Sequence, residues 1–216
     1  PTSAFLGALG MTGLTAYAGL LKVAEFREGD VVFVSGAAGA VGSMVGQIAK
    51  AMGASKVIGS AGSPEKVARL LELGFDSAFN YNDGPILEQL QEAAGERGID
   101  VYFDNVGGEH LEAALATLTV GGRVAMCGAI AQYNSTEPPA APRNMAVAIG
   151  KQLTLRGFLV GGQRQHAAEF AQKMAGWLAD GTISYDETIV DGLENAPQAF
   201  IDLLDGANTG KMLVRL

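Results

Sequence analysis

Asp30-Val31-Val32-Phe33-Val34-Ser35-Gly36-Ala37-Ala38-Gly39-Ala40-Val41-Gly42 changes character twice in a short span. Asp30 to Gly36 is a run of Val and Phe that starts after the turn-like Glu28-Gly29-Asp30 and ends in glycine, the pattern of a strand buried on both faces. Gly36, Gly39 and Gly42 follow at G-x-x-G-x-x-G spacing. From there Val41, Met44, Val45, Ile48, Ala49 and Met52 recur at helical intervals, and Gly53 closes the pattern as a C-terminal cap. A buried strand, a glycine turn and an amphipathic helix in that order predict the opening of a βαβ unit.

The alternation continues downstream. Lys56 to Gly59 reads as a strand, and Ser63-Pro64-Glu65-Lys66 opens a helix with serine at the N-cap and proline at the first helical position. Strands at Ser77 to Asn80, Asp100 to Asp104, Arg123 to Cys127 and Leu153 to Val160 are expected. Helices at Pro85 to Ala94, Glu109 to Leu118 and Ala167 to Ala179 are expected among them. Strands separated by helical patterns predict an α/β fold, a doubly wound parallel sheet of Rossmann type with helices on both faces. Phe5 to Leu21 reads as a leading helix, weakened by Gly7, Gly10, Gly13 and Gly19 at about 1 kcal/mol each relative to Ala. The nucleotide-binding domain is placed at 1–181. The segment 182–216 carries a strand (Glu187 to Val190), a helix (Ala196 to Leu204) and a last strand (Met212 to Leu216). Ser135 to Pro142 is a proline-rich loop.

Composition narrows the partners. The 216 residues carry a formal net charge of -8, which disfavours nucleic acid and anionic lipid. Apolar runs are too short to span a bilayer. Cys127 is the only cysteine, which rules out an internal disulfide and fits a cytoplasmic protein. The 30 glycines are nearly double the usual share of about 7% and sit at the ends of apolar runs, as tight strand-to-helix turns require.

A glycine turn between a buried strand and a helix is a place for a diphosphate. The first glycine allows the sharp turn, the second lets backbone N–H groups approach the ligand, and the third lets the helix pack closely on the sheet. The cofactor is chosen near the end of the next strand, about 20 residues on, where NAD-binding proteins place Asp or Glu against the ribose hydroxyls. Gly59-Ser60-Ala61-Gly62-Ser63 offers no carboxylate there. Lys66, in the first turn of the following helix, is positioned to hold a 2'-phosphate, with Arg69 one turn on. These residues favour NADP(H) over NAD(H); the competing reading makes Lys66 a solvated surface lysine and Glu65 the ribose partner.

A catalytic zinc site needs three protein ligands, and Leu9-Gly10-Met11-Thr12-Gly13 offers none ahead of the nucleotide fold. No metal is expected. His110 and His166, each near a helix start, read as surface or capping residues. Cys127, at a strand end without a cationic neighbour, reads as a small buried residue beside the cofactor rather than a reactive thiol.

Six segments in register resemble a known family: Gly10 to Tyr17, Ala37 to Gly42, Ala61 to Ser63 with Glu65-Lys66, Phe103 to Gly108, Cys127 to Ile130, and Asn208 with Gly210-Lys211. They are similar to the zinc-free medium-chain dehydrogenase/reductases, in the branch of the prostaglandin, alkenal and curcumin reductases. The resemblance implies NADPH-dependent reduction of a carbon–carbon double bond conjugated to a ketone or aldehyde. Quinone reduction is the alternative within the superfamily, and a non-catalytic NADPH-binding module the alternative outside enzymes. It further implies cofactor contacts at Gly39, Ala40, Val41 and Gly42 for the pyrophosphate, and at Ser63, Lys66 and Tyr81 for the 2'-phosphate end. Asn105, Cys127, Gly128, Ala129, Ile130, Tyr133, Phe158, Leu159, Val160 and Asn208 would surround ribose and nicotinamide. Tyr133 is the one candidate to donate a hydrogen bond to the carbonyl oxygen on which charge appears, or else a ring packed on the cofactor. Some family members carry a tyrosine where this chain has Gly150. Relatives begin with a β-rich, GroES-like domain that forms one wall of the active-site cleft; the resemblance starts where that domain ends, and part of 182–216 is expected to return to it. Relatives also dimerise through the edge strand at 153–160, and a homodimer is expected here on a long apolar edge.

Overall fold

The computed structural model describes residues 1–137 and 142–216, so part of the proline-rich stretch 135–142 lies outside the described residues. A 3-10 turn (Thr2–Leu6) leads into helix α1 (Met11–Ala18), which runs on as a π-helical turn (Gly19–Val23). Next come β1 (Val31–Val34), α2 (Gly42–Ala51), β2 (Lys56–Ala61), α3 (Pro64–Glu72), β3 (Ser77–Asn80), α4 (Ile86–Ala94), β4 (Ile99–Asp104), α5 (Gly108–Thr117) and β5 (Leu118–Met126). Short helices α6 (Ile130–Tyr133) and α7 (Ala146–Gly150) precede β6 (Thr154–Gly157), α8 (Ala167–Ala179), β7 (Glu187–Asp191), α9 (Ala196–Leu204) and β8 (Lys211–Arg215).

Six strands form one parallel sheet in the order β3-β2-β1-β4-β5-β6, while β7 and β8 pair parallel in a separate sheet. Strand order reverses between β1 and β4, which opens a crevice at their carboxyl ends. The period-2 alternation of strands explains how one apolar run serves two cores. Val32, Val34, Val101 and Phe103 face one core with Ile48 of α2, whereas Val31, Phe33 and Tyr102 face the other with Leu90 and Leu115. All four residues of β1 are buried, each worth about 1.5–3 kcal/mol of apolar transfer. Phe33 stacks between Phe79 and Tyr102 at centroid distances of 5.9 and 5.0 Å. Asp30, at the head of β1, is paired with Arg123 of β5; burial pushes its carboxyl above the usual range despite the pairing.

The sheet and its helices follow the sequence reading; four features do not. The leading helix expected over Phe5 to Leu21 is interrupted between Leu6 and Met11, because the chain folds back so closely that a Cβ on Gly10 or Gly13 would lie 2.1 Å from Phe5 O or 1.9 Å from Ala8 O. Strand β5 begins at Leu118, where a helix end was expected, and crosses a register irregularity before Arg123. Strand β6 stops at Gly157, since Phe158 turns inward and packs edge-on against Phe103 at 6.2 Å. The edge it leaves is therefore short, with Thr154 and Arg156 exposed, and not the long apolar edge the sequence suggested. Among the described residues, no helix is long and apolar enough to cross a membrane, and no three His, Cys, Asp or Glu side chains gather as a metal site.

The segment after Thr182 lies against the nucleotide fold. Gln47 of α2 exchanges two hydrogen bonds with the backbone of Ser184, at 2.9 and 2.8 Å. Arg69 of α3 grips Asp186 through Nε and Nη2, at 2.9 and 3.0 Å.

Candidate functional site

A cleft of about 970 Å³ opens above the carboxyl ends of β1, β2 and β4. Its floor is the glycine turn. Gly36 stands at φ +58, a left-handed conformation that non-glycine residues rarely adopt. Ala37 N donates to Ser60 O at 2.9 Å, tying the turn to β2, and Gly39 N donates to Gly36 O at 3.1 Å. A Cβ on Gly42 would meet Gly36 O at 2.5 Å and Ala37 Cα at 2.7 Å. The third glycine therefore seats the helix start against its own turn rather than against the sheet, a correction to the sequence reading. Among the described turn and loop hydrogen bonds, the amides of Val41 and Gly42 donate to no carbonyl, while that of Ala40 faces Gly210 in the bridge that pairs Gly39 with Gly210. Two free N–H groups at the start of a ten-residue helix make a seat for a diphosphate.

The opposite wall comes from the end of β4, held by a buried network that sequence reasoning missed. Asp104 Oδ1 accepts from Tyr102 Oη (2.7 Å), Val106 N (2.9 Å) and Gly107 N (2.7 Å). Asn105 donates through Nδ2 to Ser35 O at 2.8 Å, joining the ends of β4 and β1 across the crevice. Burial pushes the Asp104 carboxyl up from its ordinary value against the pull of these donors. The signal was local: an acidic residue ending an otherwise apolar strand takes the amides two and three residues on, as an Asx turn does.

At the far end, Ser63 caps α3 by accepting from Lys66 N at 3.3 Å, as expected from the Ser-Pro pair. Lys66 lines the cleft and is half-buried, and burial lowers its pKa; Nζ donates to the carbonyl of Gly206. Glu65 is exposed and points outside the lining. Arg69, expected one turn behind Lys66 as a second phosphate ligand, is instead committed to Asp186 and Glu72. The C-terminal segment supplies the remaining side: Gly210 N donates to Ala38 O at 2.8 Å, and buried Asn208 turns its Nδ2 onto Gly210 O at 2.8 Å.

Of the residues singled out in the sequence, Gly39, Ala40, Val41, Gly42, Lys66, Tyr81, Asn105, Ile130 and Asn208 line this one cleft. Ser63, Cys127, Gly128, Ala129, Tyr133, Phe158, Leu159 and Val160 stand outside its lining. Cys127 is half-buried, not fully buried, and burial raises its thiol pKa to about 11. Tyr133 is exposed, and its hydroxyl accepts from Ala129 N at 3.1 Å, which leaves its own proton free to donate. Leu159 is 83% exposed. Gly150 ends α7 with open space about it. His166 occupies the N-cap of α8 without a side-chain capping bond. His110 is not a surface residue: it is 5% exposed, its Nε2 has no partner, and burial lowers its pKa to about 4. Tyr81, arriving from the end of β3, covers it, a tertiary contact that a helix-start pattern does not contain.

Comparison with known proteins agrees with this architecture. The family described as zinc-binding dehydrogenase matches residues 40–180. Prostaglandin reductase 1 of Sus scrofa is 48% identical over 219 residues, covering 100% of this chain and 65% of that protein. NADPH-dependent curcumin reductase of Escherichia coli is 43% identical, over 98% of this chain and 62% of its own length. The crystal structure of CurA from Vibrio vulnificus in complex with NADPH superposes with a TM-score of 0.93 at 45% identity, covering 99% of this chain and 64% of that one. The chain thus spans somewhat under two thirds of the length of these relatives. A glycine-turn crevice at the strand-order reversal and the matched family over residues 40–180 lead to one assignment: the chain belongs to the zinc-binding dehydrogenase family.

Proposed function

We propose that this chain is the NADPH-binding portion of an oxidoreductase that reduces the carbon–carbon double bond of α,β-unsaturated ketones or aldehydes. The observation that carries the reading is the joint presence, in one cleft, of the free amides of Val41 and Gly42 and the ammonium of Lys66, with no carboxylate at the end of β2. NADPH fits this donor set. The amides and the opening over Gly39, where a Cβ would meet only Gly36 O at 3.3 Å, would take the diphosphate. Lys66 and Tyr81 would hold the 2'-phosphate, and Asn105 and Asn208 the ribose and nicotinamide side. Ser63, Cys127 to Ala129 and Phe158 to Val160 would serve from just outside the present lining.

The bound nicotinamide would supply the hydride. The protein's part is orientation and charge stabilisation. The Tyr133 hydroxyl, satisfied as an acceptor by Ala129 N, has its proton to offer to a carbonyl oxygen that gains negative charge. No metal is assigned a role. The reading extends to a homodimer through β6, supported by the free outer edge of that strand and the exposed Leu159 and Ile149 beside it; light scattering that gives a monomer would remove this part. It also places the protein in the cytoplasm.

The test follows NADPH absorbance with trans-2-alkenones and with quinones, using this chain and a form extended to the full length of the relatives. Turnover of alkenones by the extended form is expected. Turnover of quinones alone would move the protein to quinone reduction, and no turnover with bound NADPH would make it a binding module.

A further inference from the structure

His110 is buried in the wall of the cleft without a partner for Nε2 and has no part in the function proposed above. It is the third residue of α5, whose other buried side chains (Leu111, Ala113, Ala114, Leu115 and Thr117) are not among the cleft-lining residues. Its ring meets the ring of Tyr81 edge-on, with centroids 5.3 Å apart and planes at 81°. Tyr81 is anchored at its backbone, where its N donates to Ala61 O at 3.1 Å, and its hydroxyl reaches over Gly62 so closely that a Cβ there would lie 2.5 Å from it. The next residue, Asn82, holds Gly62 O through Nδ2 at 2.9 Å. Tyr81 is therefore fixed at one end by β2 and at its ring by His110, and its hydroxyl overhangs the turn that leads to Lys66.

We propose that His110 is a positioning residue for cofactor specificity: its ring, set against the edge of Tyr81, holds the Tyr81 hydroxyl over Gly62, where it joins Lys66 in recognising a 2'-phosphate. This inference rests on the NADPH reading above and deepens it. Burial keeps the imidazole neutral at ordinary pH, with its pKa lowered to about 4, so His110 adds no charge to the phosphate pocket. Its contribution is the shape and rigidity of a flat ring. A 38% exposed tyrosine at a strand end has rotamers open to it, and without the wall behind it the hydroxyl would leave the turn. Cofactors lacking the 2'-phosphate do not use that hydroxyl and should be indifferent to the change.

Dissociation constants for NADPH and NADH, measured by calorimetry on the wild-type chain, His110→Ala, His110→Phe, Tyr81→Phe and the double variant Tyr81→Phe/His110→Ala, test this. His110→Ala should weaken NADPH about tenfold and NADH less than about twofold. His110→Phe, which keeps a flat ring, should restore NADPH binding to within about threefold of wild type. Tyr81→Phe should reproduce the loss of NADPH preference, and the double variant should lose no more than either single one, because both act on one hydroxyl. Should His110→Ala melt below the assay temperature, His110→Leu makes the same comparison at similar volume. Equal losses for both cofactors, an unchanged NADPH to NADH ratio, or additive losses in the double variant would overturn the proposal. A wild-type chain that shows no preference for NADPH would instead overturn the cofactor reading on which it rests.

Discussion

Two glycines of the same turn should respond in opposite ways to one methyl group. A Cβ on Gly39 would meet only Gly36 O, at 3.3 Å, and Gly39 does not have a positive φ. Gly39→Ala should therefore change stability by no more than about 1 kcal/mol, with the unfolded-state entropy term in its favour. Gly39 itself lines the cleft, just ahead of the amides of Val41 and Gly42 in the chain, so the added methyl is expected to hold a diphosphate off them. Loss of charge-assisted bonds worth about 1.5–3 kcal/mol corresponds to about 10- to 150-fold in Kd. Because the diphosphate is common to both cofactors, NADPH and NADH should weaken alike. Gly42→Ala drives its methyl into backbone, 2.5 Å from Gly36 O and 2.7 Å from Ala37 Cα. Overpacking of that kind costs about 1–3 kcal/mol, a fall of several degrees in Tm for a chain of this size. Thermal unfolding followed by circular dichroism and cofactor titration by calorimetry read the two effects separately. A Gly39→Ala protein that binds both cofactors normally would refute the diphosphate seat, and a Gly42→Ala protein as stable as wild type would refute the packing of the turn.

Lys66→Ala should weaken NADPH about 10- to 100-fold and spare NADH, since only the former carries the phosphate it would hold; equal losses would return Lys66 to a structural role at the Gly206 carbonyl. Arg123→Met strands the Asp30 carboxylate in the core and should cost about 3–5 kcal/mol in denaturant unfolding, while Asp30→Asn with Arg123→Met should recover part of it. His110 gives a pH signature. Its folded pKa of about 4 lies below the unfolded value of 6.5, so the unfolded chain takes up the proton first on acidification. Stability is unaffected above pH 6.5, falls as pH drops from 6.5 towards 4, and loses about 3 kcal/mol in full. His110→Phe should flatten that part of the profile, and an unchanged slope would show that other groups produce it.

The sheet was legible because its evidence is local. Val31 to Val34 are apolar throughout, the period changes at the glycines, and Ser63-Pro64 marks a helix start that the structure reproduces with the Ser63 cap in place. Half of the cleft was legible for the same reason, through the glycine turn and the lysine that follows the next strand. The other half is assembled from contacts between residues far apart in the chain: Ser35 with Tyr102 and Asn105, Gly210 with Ala38, and Lys66 with Gly206. Arg69 looked like a phosphate ligand because nothing near it in sequence announces Asp186. The glycines of the leading segment were read as weak helix positions, whereas Gly10 and Gly13 are required by a chain reversal that only the folded backbone reveals.

The most direct test of the account is a crystal of this chain soaked with NADPH. The diphosphate is expected on the amides of Val41 and Gly42, with the 2'-phosphate within hydrogen-bonding distance of Lys66 Nζ and Tyr81 Oη. Density for the cofactor elsewhere, or a cleft that stays empty at a saturating concentration, would contradict it.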